Sequence, residues 1–509
     1  MLVDVIIPPV ASIIVARAMG PTKLGSFSYV MWLSTAMMAL GGGGLQLAAR
    51  KHLADAAGKQ RPDLFRAVLR TCSRYQIGIL SLLALGGLAL ARWGMPSSDC
   101  AFASLTMIAI LPGGAMSMAT AVNNSVQEVR PNVVASVLSA LVHTAGMILT
   151  VALGWGLIGL AAAHLASRTC DCLVRWKLTA ARLPRYLADM GTDPSPLGSK
   201  PALPPGLGKI IGSFAAESTV LTLLTLVVWN RSEMFFLKRY CSLDQVAYFA
   251  VAFGLSLMPG QLVGPFSRAA GVSVYAERGR DARAGVHVAQ VYWRYAVLLV
   301  LPACFGLAML SGPLLRLLYG VRYLQAAPVL MLAASLSMFG PLSDPASSLV
   351  IAAGGQRRLV VVSVIAGMGT LILDYFLVRA YAAMGGALAN GLGQAISTTA
   401  VIILAHRHSF RISPKFVLRV AGAVLGMTAL VAAAVRLLPD IAAVIVGPPL
   451  GFFAYGLFLR LARVVDENDV ERMLQAESLL PRSLRATFRR LLRAVSPASA
   501  PVPDQAPTA

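Results

Sequence analysis

Six ionisable side chains lie inside or beside long apolar stretches of the sequence: Arg17, Glu217, Arg231, Glu233, Asp344 and Asp374. A charge in hydrocarbon is costly, so such groups face the interior of a helix bundle or a water-filled cavity. Arg binds phosphate through a planar, permanently charged fork, and desolvation raises the proton affinity of a carboxyl group. These residue types predict a polar passage for a hydrophilic, anionic substrate. The alternative is that each residue pairs locally or reaches the membrane surface, and for Arg231 and Glu233 that alternative stays open.

The sequence contains no catalytic or metal-binding constellation. The fragment GLGKIIGS around Lys209 lacks the upstream Gly of a phosphate-binding loop and has Ile210 where Ser or Thr is required. Cys170 and Cys172 have no second ligand pair at metal-binding spacing, and the six histidines are scattered. We therefore expect a protein that is not an enzyme, binds no metal or cofactor and hydrolyses no ATP.

The composition defines the class of protein. Of the 509 residues, 57% are hydrophobic and 13% are charged, against about 25% charged in an average soluble chain. The mean hydropathy of +0.70 excludes a water-soluble enzyme, a disordered protein and a coiled coil. The net charge of +22 comes without a nucleic-acid-binding motif. We expect no nucleic acid as a partner and assign the cations to loops that meet anionic membrane lipids.

The apolar stretches predict an all-α integral membrane protein with about fourteen transmembrane helices, each long enough to cross a hydrocarbon core of ~30 Å. If the N-terminus is cytoplasmic, 34 of the 44 Lys and Arg residues fall in cytoplasmic loops or in the tail. Positive charge collects on the cytoplasmic side of membrane proteins. The distribution therefore predicts that both termini are cytoplasmic.

A Pro- and Gly-rich segment, 191–209, separates six predicted spans from eight. Two sequence echoes relate the two sides: ARAMGPTKLGSF with Arg17 aligns with KRYCSLDQVAYF with Arg239, and Gly159 aligns with Gly385. Two units with an even number of spans are parallel repeats, related by an axis along the membrane normal. The predicted domains are an N-terminal lobe 1–175 (spans 1–6), a linker 176–209, a C-terminal lobe 210–406 (spans 7–12), peripheral spans 13 and 14 in 407–462, and a tail 463–509.

The tail is predicted to contain a basic amphipathic helix. Apolar residues recur at helical spacing between Ser483 and Val495, and five Arg residues, counted from Arg482, cover the other faces. Such a helix lies on an anionic membrane surface, although a solvated helix end is the alternative. The residues 496–509 are rich in Pro and Ala and are predicted to be disordered.

Several stretches, in a fixed order over residues 13–410, carry a family resemblance. They are IIVARAMGPTKLGSFSYV (13–30), EMFFLKRYCSLDQVAYFAVAF (233–253), LLYGVRYLQAAPVLMLAASL (317–336), IAAGGQRRL (351–359) and LILDYFLVRAYAAMGGALA (371–389). Together they resemble the polysaccharide (O-antigen type) flippases of the multidrug/oligosaccharidyl-lipid/polysaccharide exporter superfamily. Asp374, in place of a commonly seen Asn, and Gly385-Gly386-Ala387 depart from the family pattern.

The resemblance implies two six-helix lobes around a central cavity, with two peripheral helices. It implies a flippase of the bacterial cytoplasmic (inner) membrane that moves undecaprenyl-pyrophosphate-linked oligosaccharide by alternating access. Arg17 matches the family's first-span Arg and is the candidate pyrophosphate contact, and Glu233 matches an acid after the seventh span. We assign Arg17, Arg231 and Glu233 to substrate binding. Glu217, Asp344 and Asp374 are assigned to the cavity or to ion coupling.

The expected partners are the lipid-linked oligosaccharide, anionic lipids, and a polysaccharide polymerase with its chain-length regulator. Three alternatives stay open. A lipid II flippase shares the fold and the charge pattern. A cation-coupled multidrug antiporter of the same superfamily would need an acidic, aromatic cavity, whereas Arg17 and Arg231 are basic. A membrane scaffold that transports nothing would not need charges within its spans.

Overall fold

The computed structural model describes residues 2–94, 97–190, 204–229 and 231–464. These residues form helices and turns and contain no strand. Packing divides the described chain into two compact units. The first comprises residues up to Ala247 together with Thr370–Ala382, and the second comprises Tyr248–Gly369 together with the residues from Ala383 onward.

The described part of the first unit contains nine complete helices, which we number in chain order. They are α1 (Leu2–Met38), α2 (Gly44–Gly58), α3 (Pro62–Gly94), α4 (Ser97–Ile108), α5 (Ile110–Ser125), α6 (Arg130–Leu153), α7 (Gly156–Asp189), α8 (Leu207–Trp229) and α9 (Glu233–Tyr240). A π-helical turn, Ala39–Gly43, joins α1 to α2.

Helix α10 (Leu243–Ser256) begins in the first unit and continues into the second. The helices that follow are α11 (Met258–Arg280), α12 (Ala282–Met309), α13 (Ser311–Tyr319), α14 (Ala327–Leu336), α15 (Phe339–Ala352), α16 (Gln356–His406), α17 (Pro414–Leu437) and α18 (Asp440–Leu461). A 3₁₀ turn, Val321–Ala326, precedes α14.

Eleven helical stretches of the described chain are long and apolar enough to cross a membrane. Two of them each contain two predicted spans. The 46-residue stretch Ile13–Gly58 covers the end of the first span and all of the second, and the 51-residue α16 contains the eleventh and twelfth. The predicted eighth span corresponds to α10 and the start of α11. The all-helical, multi-pass membrane architecture predicted from the sequence is confirmed.

Both long helices are broken where the sequence predicts a turn between spans. In α1 the break is at Gly20, whose φ of 77° suits a residue without a Cβ atom. In α16 it is at Ala382, with φ 48° and ψ −127°. An L-residue with a side chain rarely adopts such a conformation, so the surrounding packing must hold it.

Close helix contacts in the first unit depend on glycine. A Cβ atom on Gly44 would lie 2.2 Å from the Ala215 carbonyl oxygen of α8. The tetraglycine 41–44 therefore acts as a closely packed helix segment and allows α2 to lie directly against α8. A further break separates α4 from α5. It lies at Ala109, close to Pro112, which cannot donate a backbone hydrogen bond.

In the second unit, α12, α17 and α18 form a common apolar core. Its most deeply buried members include Ala296, Val420 and Val424. The Tyr455 hydroxyl of α18 donates to the Leu298 carbonyl oxygen of α12 at 3.0 Å. The two peripheral helices α17 and α18 thus pack against a helix of the second unit.

Two sequence predictions fall outside the described residues, one in part and the other almost wholly. They concern the linker 176–209, of which residues 191–203 are not described, and the tail 463–509, of which only Arg463 and Val464 are described. The division into lobes at that linker, the basic amphipathic helix at 483–495 and the disordered end at 496–509 stay predictions.

Candidate functional site

Two segments that echo each other in the sequence contact each other within the first unit. The Thr22 hydroxyl donates to Asp244 Oδ1 at 2.6 Å, across a sequence separation of 222 residues. A Cβ atom on Gly25 would lie 1.9 Å from the Leu243 carbonyl oxygen. Since a side chain cannot fit there, Gly25 is required for this approach of α1 to the start of α10.

The same contact is extended by neighbouring polar groups. The Lys238 ammonium lies 5.9 Å from the centre of the Tyr29 ring, and the Ser26 hydroxyl donates to Asp99 Oδ2 at 2.7 Å. We call the residues Thr22, Gly25, Leu243 and Asp244 the turn contact. In the predicted topology it lies on the side opposite the basic loops.

A cluster of acidic side chains lies at the junction of α8, α9 and α16. Glu233, the first residue of α9, and Asp374 of α16 are each 0% exposed. The Ser232 hydroxyl donates to Asp374 Oδ2 at 2.9 Å. Asp374 Oδ1 has no hydrogen-bond partner among the described residues. We call Arg231, Ser232, Glu233 and Asp374 the acidic junction.

Arg231 supplies the positive charge of the acidic junction. It is half-buried and interacts electrostatically with Glu233. Its φ of 56° is unusual for a residue other than Gly, and it places the turn between α8 and α9 so that Ser232 reaches Asp374. One guanidinium and two carboxyl groups leave an excess of one negative charge when all are ionised. Buried charge of this kind is neutralised by a proton or a bound cation.

The structure therefore brings together three of the six predicted site residues, namely Arg231, Glu233 and Asp374. Arg17 is exposed on α1, three residues before the break at Gly20. Glu217 is exposed on α8 and accepts a long hydrogen bond of 3.5 Å from Ser213, one helical turn away. Asp344 is exposed on α15 of the second unit, where it hydrogen-bonds with Ser267.

Sequence reasoning missed a second buried charged group in the first unit. Asp171 and Arg175 of α7 are 4% and 5% exposed. The Arg175 guanidinium contacts Asp171 Oδ1 at 2.5 Å through Nη2 and 2.7 Å through Nε. The sequence placed this stretch in a cytoplasmic helix end beside Cys170 and Cys172, but α7 continues through it to Asp189.

Helices α5 and α6 complete the environment of this ion pair. Arg175 donates to Thr120 Oγ1 at 3.1 Å and Asn132 Oδ1 at 3.2 Å through Nη1, and to Ser136 Oγ at 3.1 Å through Nη2. We call Asp171, Arg175 and these three partners the ion-pair network. Its sequence signal is an acid and a base four residues apart, which share one face of a helix.

Comparison with known proteins identifies the chain's family. The family model described as polysaccharide biosynthesis protein matches residues 1–272, more than half of the chain. The chain belongs to this family. The motif resemblance found in the sequence is thereby confirmed. A comparison with curated protein sequences finds no match.

Solved structures of membrane transporters share the fold. The lipid II flippase MurJ, in an inward closed conformation, aligns with a TM-score of 0.71 at 14% identity over 89% of this chain and 96% of that chain. An inward-facing multidrug resistance MATE transporter of the MOP superfamily aligns at 0.66, with 15% identity over 80% and 94%. A MOP superfamily transporter from Pyrococcus furiosus aligns at 0.57, with 15% identity over 80% and 93%. At such identities the likeness shows the fold alone.

Proposed function

We propose that this chain is a flippase that carries undecaprenyl-pyrophosphate-linked oligosaccharide across the bacterial cytoplasmic membrane. The observation that supports this most strongly is its membership of the polysaccharide biosynthesis family together with the fold of a lipid flippase. A glycan headgroup in hydrocarbon would leave many hydroxyl groups without hydrogen-bond partners. The protein supplies a polar route and uses no ATPase of its own.

In this proposal Arg17 contacts the pyrophosphate. Its guanidinium is exposed on α1, close to the break at Gly20, and stays charged at any physiological pH. Arg231 is half-buried and already interacts with Glu233, so we assign it to the acidic junction. Because Arg17 is the more exposed of the two and matches the family's first-span Arg, it is the better candidate for the substrate contact.

We assign the turn contact to the outer gate of an alternating-access cycle. When Thr22 and Asp244 are joined, the part of α1 that follows the break at Gly20 is held against the start of α10. Release of the headgroup outward then requires these two segments to separate. A Thr22→Cys/Asp244→Cys variant should stop transport when oxidised and recover it after reduction. The two single-cysteine variants serve as controls for reaction with the native Cys100 and Cys241. Unchanged transport in the cross-linked protein would contradict this role.

The acidic junction is assigned to energy coupling. Uptake of a proton or a monovalent cation would neutralise the excess charge of Glu233 and Asp374. Glu217 and Asp344 are more exposed, so their contribution to the cavity or to coupling is secondary in this scheme. A polysaccharide polymerase and a chain-length regulator are the partners expected to take up the product.

The test is a lipid extract from a strain that lacks the gene. Loss of the flippase should cause complete, unpolymerised repeat units on undecaprenyl pyrophosphate to accumulate while surface polysaccharide disappears. The wild-type gene should reverse both effects, and an Arg17→Ala variant that reaches the membrane in normal amounts should not. An unchanged lipid-linked pool with intact surface polysaccharide would contradict the proposal.

Two other cargoes are favoured by specific observations. The fold similarity to MurJ makes lipid II an alternative cargo, and the similarity to MATE transporters makes an organic cation another. The same extract separates them, because a lipid II flippase would cause lipid II to accumulate. A drug antiporter would leave both lipid pools unchanged and alter drug sensitivity.

A further inference from the structure

The second unit contains a cavity of about 330 Å³ at the junction of α12, α17 and the end of α18. Residues of α12, the segment between α16 and α17, the first turns of α17, and Val464 just beyond α18 line it. Small-molecule sites span about 300–1,000 Å³. A cavity at the lower end of this range fits a compact headgroup rather than an oligosaccharide.

The charged residues around this cavity are all basic. They are Arg294, Arg411, Lys415 and Arg419, and none of the described lining residues is acidic. Arg294 lies over the Phe416 ring at 5.0 Å, and Arg419 donates to the Arg463 carbonyl oxygen at 3.2 Å. Four cations around one cavity repel one another, so a bound anion would stabilise the arrangement.

The loop between α16 and α17 contains a histidine, which would carry the same sign of charge if protonated. His408 follows the end of α16 and lies outside the membrane-spanning segments. Burial, and then the positive charges of Arg278 and Arg358, lower the pKa of His408. This histidine therefore gains a proton less readily than usual and does not add a fixed charge to the four cations.

The N-terminus of α17 lies beside the cavity and also favours a bound anion. This helix of 24 residues begins at Pro414, next to Lys415. The Ser413 hydroxyl accepts from the Phe416 backbone N–H at a long distance of 3.5 Å. Exposed N–H groups and the helix dipole give such an end partial positive charge.

A buried donor among the lining residues points to a ligand independently of the charges. Trp293 is 6% exposed and lines the cavity. Its indole Nε1–H has no hydrogen-bond acceptor among the described residues. An indole nitrogen can only donate, and a buried donor without an acceptor is costly. A bound anion that reached this nitrogen would supply the acceptor.

The position of the cavity along the membrane-spanning helices indicates the source of the anion. Helices α17 and α18 are both long and apolar enough to span a membrane. The cavity lies where α17 begins and where α18 ends, which places it at the edge of the hydrocarbon layer. We propose that it binds the phosphate group of an anionic phospholipid headgroup. The bound lipid would join α12 to the peripheral pair α17 and α18.

The test is lipid binding to the purified full-length chain in detergent, measured by native mass spectrometry with dioctanoyl phosphatidylglycerol. Wild-type protein should bind one lipid tightly, and dioctanoyl phosphatidylcholine more weakly. Arg411→Gln/Arg419→Gln should raise the dissociation constant on the order of tenfold per guanidinium. The matched control, Arg357→Gln/Arg407→Gln, removes two exposed arginines that do not line the cavity and should have little effect.

A milder variant guards against loss of folding. Trp293→Phe keeps an aromatic ring and removes only the donor, so the dissociation constant should rise roughly threefold to tenfold. Equal lipid affinity in all variants would overturn the proposal. Equally tight binding of inorganic phosphate, with the same dependence on Arg411 and Arg419, would show a site for soluble phosphate and overturn the lipid assignment.

The chain itself offers a competing anion. Four carboxylates, Asp466, Glu467, Asp469 and Glu471, follow Val464 closely in the sequence. If the lipid binds only after these are changed to Asn and Gln, the chain's own tail is the occupant and the proposal is wrong. Unchanged lipid affinity in that variant supports the proposal.

Discussion

The first unit buries charge in two different ways. In the ion-pair network, Asp171 meets Arg175, and α5 and α6 supply three further acceptors to the guanidinium. At the acidic junction, Glu233 interacts with the half-buried Arg231, and one oxygen of Asp374 has no hydrogen-bond partner among the described residues. Both regions are inside helical packing. The first has one carboxylate beside two arginines, since Arg168 also interacts with Asp171, whereas the second has two carboxyl groups beside one arginine.

This difference separates structural charge from functional charge. A buried pair whose hydrogen bonds are satisfied is stable in one protonation state, and removing one partner leaves an uncompensated charge. A region with an excess carboxylate is stabilised when it binds a proton or a cation. We therefore propose that the ion-pair network holds α5, α6 and α7 together and that the acidic junction responds to an ion gradient.

The strongest test of this contrast is Asp171→Asn. The substitution keeps the shape of the side chain but leaves the Arg175 charge buried without its counterion. We expect the free energy of unfolding to fall by roughly 3–5 kcal/mol, measured by reversible unfolding in mixed detergent. Asp189→Asn, at the exposed end of the same helix, should change it by less than about 0.5 kcal/mol. Equal effects of the two substitutions would contradict a structural role for the pair.

Removing both charges should cost less than removing one. Asp171→Leu/Arg175→Met removes the buried pair together. Arg168 then loses its neighbour Asp171, and Thr120, Asn132 and Ser136 lose a shared donor. We expect a loss of roughly 1–3 kcal/mol in the free energy of unfolding. A double variant less stable than Asp171→Asn would show that the hydrogen bonds, and not the charge, dominate.

The same isosteric change at the acidic junction should behave differently. Asp374→Asn removes one of two like charges and keeps an acceptor for the Ser232 hydroxyl. The free energy of unfolding should change by no more than about 1 kcal/mol, while transport in vesicles should lose its dependence on the ion gradient. Destabilisation as large as that of Asp171→Asn, or gradient-dependent transport at the wild-type rate, would remove the distinction between the two regions.

The smallest effect is expected at a more exposed ion pair of α7. Arg182 lies 3.5 Å from Glu128, and their side chains are 30% and 36% exposed. Arg182→Ala should lower the free energy of unfolding by at most about 1 kcal/mol, because water screens such pairs. Since Arg182 is two turns from Arg175 on the same helix, this variant shows how much the free energy of unfolding falls when a more exposed arginine of α7 is removed. A loss as large as that of Asp171→Asn would show that burial does not determine how much each ion pair contributes to the free energy of unfolding.

Local sequence patterns predicted the fold well, because each membrane span is encoded by its own apolar stretch. They also located the break near Gly20, where residue type alone limits the backbone. The order of the motifs around Arg17 and Gly385 was sufficient to identify the family.

The sites were less accessible to sequence reasoning. Ser232 and Asp374 are 142 residues apart, and no local pattern shows that they touch. Asp171 and Arg175 were missed because the predicted sixth span ended between them, although their spacing carried the signal. Sequence placed Glu217 deep in a span, but α8 leaves it exposed, since the packed face of that helix is set by contacts with α2.

The most direct test of the account is transport by the purified chain in liposomes that contain labelled undecaprenyl-pyrophosphate-linked oligosaccharide. An added glycosidase that cannot cross the membrane reports the glycan on the outer surface. We expect wild-type protein to expose the inner pool to the enzyme and Arg17→Ala not to do so. Asp374→Asn should expose the inner pool at a rate that is independent of an imposed ion gradient. If only the original outer pool is cleaved with wild-type protein, while lipid II or an organic cation crosses, the proposed flippase activity is wrong.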